Sequence, residues 1–272
     1  MSKERKNMKR AMGWFAVLAM IIVTGVLPGL AVAQETSQGE ETPLAAQTIL
    51  DRVNSAWQGD SFHGTIRLEI SIAEATKLHM LEVWTLGEEL ALVRVLEPEI
   101  DLNSGYLQLG DELWFYSPMV GPIKLPAMAI GDALFGAGPS LDDLSHGTLS
   151  DDYDVSVEEV DASTDPESDA RWFLTLVPHL DAPVVFGRLE ILVSDDFVME
   201  TLIYYDQRGE ILQTAEFSDV IEIGERKFAT TIVIEDSFGD RTVQRIENPQ
   251  FDLELDASFF SIETFEAWGE TE

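Results

Sequence analysis

The sequence predicts a mainly β protein in which one short amphipathic helix precedes a large antiparallel sheet that curls on itself. Three observations carry this. Beyond residue 60, apolar residues recur with period two along most of the chain. The runs are joined by tight turns such as Gly87-Glu88-Glu89, Asp195-Asp196, Asp206-Gln207-Arg208-Gly209 and Phe238-Gly239-Asp240. Short links join antiparallel neighbours, because a parallel crossover needs about a dozen residues or more. The runs number about eleven, enough for a sheet that curls.

The chain opens on an address. Lys3, Arg5, Lys6, Lys9 and Arg10 form a basic stretch, Ala11 to Ala33 carries no charge, and Trp14 to Val23 is densely apolar. Gly25, Pro28 and Gly29 weaken a helix there, and Ala31-Val32-Ala33 offers small residues at the two positions a signal peptidase reads. Residues 1–33 are therefore expected to be a secretory signal peptide cleaved after Ala33. The rival is an uncleaved anchor, since an uncharged stretch of this length can span a bilayer. Residues 34–41 are polar and aperiodic and read as a flexible tether, leaving 42–272 as a single domain.

Thr42 and Pro43 suit the N-cap and first position of a helix. Leu44, Ile49, Leu50, Val53 and Trp57 follow at helical spacing, and Gly59 ends the run. Phe62, Gly64, Ile66, Leu68, Ile70 and Ile72 then alternate with His63, Thr65, Arg67, Glu69 and Ser71, a strand with one wet face. Further strands are expected at 76–86, 90–97, 104–109, 112–117, 153–160, 171–177, 185–194, 197–205, 210–220, 226–236 and 240–247. Residues 161–170 read as a solvated hairpin loop. The apolar residues between Phe251 and Phe265 should dock on the sheet.

Two features depart from a plain sandwich. Leu90 to Leu96 is apolar on both faces, apart from Arg94. Such a sheet must be covered twice or enclose something apolar, and one helix is too little cover, which leaves apolar surface for a ligand or partner. Residues 118–144 are apolar but hold four prolines and four glycines, so no long regular element is expected there. A segment of this kind either covers a pocket or caps the core.

Composition excludes several classes. The chain carries 50 acidic and 17 basic residues, a net charge of −33, and no cysteine. Removal of residues 1–33 takes away five basic residues and one acidic, leaving −37. Nucleic-acid binding lacks its basic footprint. A self-repelling surface favours a monomer and only transient membrane contact. Without cysteine there are no disulfides, zinc–thiolate sites or lipidated N-terminal Cys. His63, His79, His146 and His179 show no metal spacing, with His63 and His79 assigned to wet strand faces. No Gly-x-Ser-x-Gly elbow or phosphate loop occurs. Asp142-Asp143 and Asp151-Asp152-Asp154 lack the calcium-loop pattern and read as solvated charge. Most of Trp84, Trp114, Phe115, Tyr116, Trp172, Tyr204 and Tyr205 read as core. No cofactor, metal or catalytic residue is expected.

The order of parts carries a resemblance. Gly105-Tyr106-Leu107-Gln108-Leu109 and Glu112-Leu113-Trp114-Phe115-Tyr116-Ser117-Pro118 are followed by Ile123-Lys124 and a Gly-rich stretch ending Leu141-Asp142-Asp143-Leu144. Trp172 to Pro178, Tyr204-Tyr205-Asp206 with Gly209-Glu210, and Phe259-Phe260-Ser261 complete the pattern. Over residues 42–265 this resembles the LolA-like outer-membrane lipoprotein-sorting proteins, in their uncharacterised periplasmic branch. The resemblance implies an incomplete, strongly curved antiparallel β-barrel with an N-terminal helix and a loop or short-helix lid on its concave side. It also implies an apolar cavity for the acyl chains of a lipoprotein or lipid, and an inner-membrane transporter as a possible partner. Carriers of this type hold the lid with an arginine inside the cavity. Arg67 and Arg94 lie in strands here, and neither is matched to that role.

The expected function is a non-enzymatic carrier shuttling a lipoprotein or lipid toward the outer membrane. Phe62, Ile66, Leu68, Ile70 and Ile72 are expected to line the cavity, with Trp84, Leu92, Trp114 and Tyr116 as further lining. Met119, Ile123 and Leu125 are expected in the lid. The rival classes are a protein-interaction module whose groove serves an envelope transporter complex, and a lipid hydrolase, for which no nucleophile constellation exists.

Overall fold

A computed structural model describes residues 45–126, 129, 134–135, 152–160, 169–180, 182, 184 and 186–269. Helix α1 (Ala46–Gln58) ends at Gly59, whose φ of 64° continues no helix. Asp252 Oδ1 would lie 2.9 Å from a Cβ there, so glycine is required twice over. The proposed cap at Thr42-Pro43 lies outside the described residues.

The strands are β1 (Ser61–Ile72), β2 (Ala75–Leu86), β3 (Leu90–Glu97), β4 (Gly105–Leu109), β5 (Glu112–Ser117), β6 (Gly121–Leu125) and β7 (Tyr153–Glu159). Then come β8 (Ala170–Pro178), β9 (Arg188–Ser194), β10 (Met199–Tyr205), β11 (Ile211–Ile223), β12 (Arg226–Asp236) and β13 (Arg241–Phe251). Among the described residues these thirteen form one antiparallel sheet, ordered β6-β5-β4-β3-β2-β1-β13-β12-β11-β10-β9-β8-β7. All neighbours but one are hairpin partners. The exception joins β1 to β13, with Ile66 opposite Ile246. β6 and β7 are edges that do not pair, so the sheet is not closed.

Register shows which way the sheet curls. Ile66, Leu81 and Val95 lie opposite one another on β1, β2 and β3. They share one buried cluster with Leu174, Leu176, Leu189 and Ile191 of the far strands β8 and β9. Strands so distant in the sheet meet only if it bends with this face inside. Helix α1 lies on the same face through Ile49, Leu50 and Val53, and touches both β7 and β12.

The structure adds β6 to the expected strands. Residues 121–125 pair with β5 despite Gly121 and Pro122. Pro122 is tolerated because an edge strand leaves one side of its backbone unpaired. Gly105, in β4, packs so closely on β3 that a Cβ would sit 1.9 Å from the Val93 carbonyl oxygen.

The opposite face is also covered. Trp84, Leu92, Leu107 and Tyr116 form a second cluster with Phe260 and Phe265. The cover is residues 253–269, ending in helix α2 (Ile262–Gly269). Trp268 stacks on Trp84 at 5.4 Å and Phe265 on Tyr116 at 5.1 Å between ring centroids. Arg94 lies 4.4 Å from the Trp268 ring centroid and donates to Asn103 Oδ1 from Nε and Nη2 at 2.8 and 2.6 Å. Among the described residues no helix is long and apolar enough to cross a membrane.

Candidate functional site

The concave face is one apolar wall. Phe62, Ile66, Leu68 and Ile70 are each at most 1% exposed, and Ile72 packs beside them. These five expected lining residues do face inward together, because strict alternation leaves a strand no other choice. The wall is filled from above by α1 and by neighbouring side chains. A void of about 10 Å³ lies under α1, between Val53, Trp57, Phe197, Phe217 and Phe228.

The other expected lining residues lie elsewhere. Trp84, Leu92 and Tyr116 are buried on the outer face beneath the C-terminal segment, and Trp114 packs against the same cluster. The physical reason is that strands apolar on both faces are covered twice by protein, with residues 253–269 as the second cover. These four therefore share no space with Ile66. Of the expected lid residues, Leu125 packs on the interior cluster. Met119 is in the β5–β6 turn and Ile123 in edge strand β6, both exposed.

Arg67 and Arg94 also point outward. Arg67 Nε donates to Glu247 Oε1 at 3.2 Å, and Arg94 is held by Asn103 and Glu82. The polar groups on the inward side of the strands are different ones, with Lys77 at an exposed rim. Tyr106 of β4 donates its hydroxyl to the Leu134 carbonyl at 2.7 Å, and Lys77 Nζ donates to the Phe135 carbonyl at 3.4 Å. His79 stacks on the Phe135 ring at 4.1 Å between centroids. Leu134 and Phe135 join the interior cluster, and they belong to the 118–144 segment, most of which lies outside the described residues.

His79 corrects the expectation of a wet face. It lies opposite Leu68 on the inward side of β2, is 8% exposed, and both ring nitrogens lack a partner among the described residues. Burial pulls its pKa below the ordinary 6.5, Asp101 opposes this and Lys77 adds to it. Burial pushes the Tyr106 phenol above its ordinary 10, with Asp101 acting the same way, so the hydroxyl remains a donor at neutral pH. His63 does face outward, 3.1 Å from Glu82 and stacked on Trp84.

Helix α1 has its own tether. Arg226 of β12 donates from Nη1 to the carbonyls of Ser55 and Ala56, and its guanidinium pairs with Asp252 at 3.3 Å. A cation at unsatisfied carbonyls is favourable at a helix C-terminus. Nothing in the spacing of Arg226, Tyr106 or Lys77 marked them, since each acts on a backbone distant in sequence.

A second and larger hollow, about 780 Å³, lies at the end of the sheet holding the β9–β10 turn and shares Val198, Met199, Phe217 and Lys227 with the void under α1. Asp169, Asp195, Asp196, Glu200, Glu222 and Arg171 also line it. Arg171 pairs with Asp195 and Lys227 with Asp196. Among the described residues no group of three or more His, Asp or Glu is placed to hold a metal ion.

A family model described as "Uncharacterized protein" matches residues 87–267. The chain belongs to that family. Its fold is the LolA-like fold. A LolA superfamily protein from Nitrosomonas europaea is 22% identical with a TM-score of 0.66, covering 80% of this chain and 98% of its own. A domain assigned to the outer membrane lipoprotein-sorting proteins, from Vibrio parahaemolyticus, is 14% identical with a TM-score of 0.69, over 81% and 98%. A DUF1329 family protein from Desulfovibrio piger is 16% identical with a TM-score of 0.68, over 81% and 97%. No curated protein matches the chain. Neither strand arginine considered for a latch, Arg67 or Arg94, reaches the interior, and among the described residues Tyr106, Lys77 and His79 contact Leu134 and Phe135.

Proposed function

We propose that the protein is a non-enzymatic carrier that binds the acyl chains of a lipid or lipoprotein inside the curled sheet and moves them toward the outer membrane. The observation that carries this reading is the interior. A continuous apolar wall from both halves of the sheet runs between two unpaired edge strands, β6 and β7, and the described cover residues are tied to it by Tyr106, Lys77 and His79. The LolA-like fold supports it, as does the basic-then-apolar stretch of residues 3–33, which supports export to the periplasm.

The energetics are simple. Moving an acyl chain out of water is worth about 0.8 kcal/mol per buried methylene, so binding requires no reacting group. The wall is filled in this structure, so an entering chain must displace Leu134 and Phe135, or α1. Both are held by polar contacts of a kind worth about 0.5–1.5 kcal/mol each, which entry of a long chain exceeds.

Uptake of a fluorescent fatty acid tests this. The protein should bind it, Ile70→Glu should abolish binding, and Glu69→Gln on the outer face of the same strand should not. Equal uptake by both folded variants contradicts the interior as the site. A protein that takes up no acyl chain would fit an interaction module serving an envelope transporter.

A further inference from the structure

The two ends of the sheet differ. Register places the β1–β2, β3–β4, β5–β6, β8–β9, β10–β11 and β12–β13 links at one end, where β1 finishes. The β2–β3, β4–β5, β9–β10 and β11–β12 turns lie at the other. Four of the first group carry a large apolar residue at the tip. Ile100 is 84% exposed, Met119 88%, Val120 69%, Leu180 104% and Phe238 90%. The turns of the opposite end present Glu88, Glu89, Asp111, Asp195, Asp196 and Glu225 instead. Among the described residues, the exposed large apolar residues near that end, Val220 and Ile221, lie within strand β11.

One exposed apolar side chain needs no explanation. A set confined to the turns of one end does, because a turn tip accepts polar residues at no packing cost. We propose that this end of the sheet docks on the surface of a zwitterionic phospholipid bilayer, with Ile100, Met119, Val120, Leu180 and Phe238 entering the headgroup region.

Charge and continuity decide in favour of lipid. Along the strand order the polar β1–β2 and β10–β11 turns separate the apolar tips. A protein partner needs a contiguous, packed apolar centre, whereas a fluid bilayer accepts separate anchors. Ile100 is flanked by Glu97, Glu99 and Asp101, and Phe238 by Asp236 and Asp240. Those carboxylates repel anionic headgroups and suit the cationic group of phosphatidylcholine or phosphatidylethanolamine.

The inference is independent of what the interior holds. Protein recovered from the periplasm of cells expressing the full chain is floated with phosphatidylcholine vesicles. The triple variant Ile100→Ser, Met119→Ser, Phe238→Ser should lower partitioning about tenfold or more, given the apolar area removed, while Val220→Ser with Ile221→Ser leaves it unchanged. In a second measurement Phe238→Trp should be quenched by brominated phosphatidylcholine and Val220→Trp should not. The inference is overturned by failure of the wild-type protein to bind vesicles, by equal partitioning of the two multiple variants, or by equal quenching at both positions. Tip variants that lose a protein partner while the wild type ignores vesicles likewise overturn the lipid assignment. Docking without acyl uptake leaves this inference standing and contradicts only the carrier reading.

Discussion

Tyr106 is the residue whose removal should change function most cleanly. Its hydroxyl reaches the Leu134 carbonyl from inside the sheet, and Tyr106→Phe removes that bond while keeping the ring. A neutral hydrogen bond is worth about 0.5–1.5 kcal/mol, so fatty-acid uptake should quicken about two- to tenfold in stopped-flow fluorescence. A rate unchanged by the substitution would mean that Leu134 does not lie on the entry route. His79 makes a prediction about pH. Burial holds its folded pKa below 6.5, so the unfolded chain takes up the proton first as pH falls. Its contribution is intact above pH 6.5 and is lost as pH falls through the lowered folded value. His79→Leu should therefore show a smaller drop in urea midpoint than wild type between pH 7.5 and 5, the exposed carboxylates titrating alike in both. At this scale Phe62, Ile66, Leu68, Ile70 and Ile72 were legible in the sequence, because one face of β1 is polar throughout. His79 was not. β2 carries Leu78, Met80, Leu81 and Val83, apolar at both parities, and only its pairing with Leu68 settles which face is wet.

The elements with clear period-two patterns lie where they were expected. β3, β5 and β12 match their expected bounds, β2, β4 and β7 differ by one residue at one end, and β8 by one residue at each end. β6 was missed because Gly121 and Pro122 are turn residues by local preference, and the edge position that tolerates them is a property of the sheet. The C-terminal segment was expected to dock, but its face was not legible. That mattered, since the space it fills is the space assigned to a ligand beside Trp84, Leu92, Trp114 and Tyr116. Phe265 anchors it and is fully buried. Phe265→Ala should cost about 3–5 kcal/mol in urea unfolding, as for a large core truncation. It should also raise binding of an apolar dye, by baring the outer cluster. A change near zero would show that residues 253–269 are not held on that face.

At the scale of the whole molecule the antiparallel hairpins were legible because each depends on local turns, whereas the β1–β13 partnership was not. It joins Ile66 to Ile246 across most of the chain, and turns two hairpin series into one curled sheet. That pairing creates the interior, since it lets β2 and β9 share a core. The chain as a whole carries a net charge of −33, and self-repulsion keeps such a chain dispersed. An apolar interior in a strongly charged chain is what a carrier of acyl chains through water requires. The most direct test is native mass spectrometry, with organic extraction, of protein purified from a periplasm without detergent. A stoichiometric lipid or acylated peptide, lost in Ile70→Glu, is the predicted result. Protein that is empty, and remains empty after exposure to lipid, would contradict the carrier.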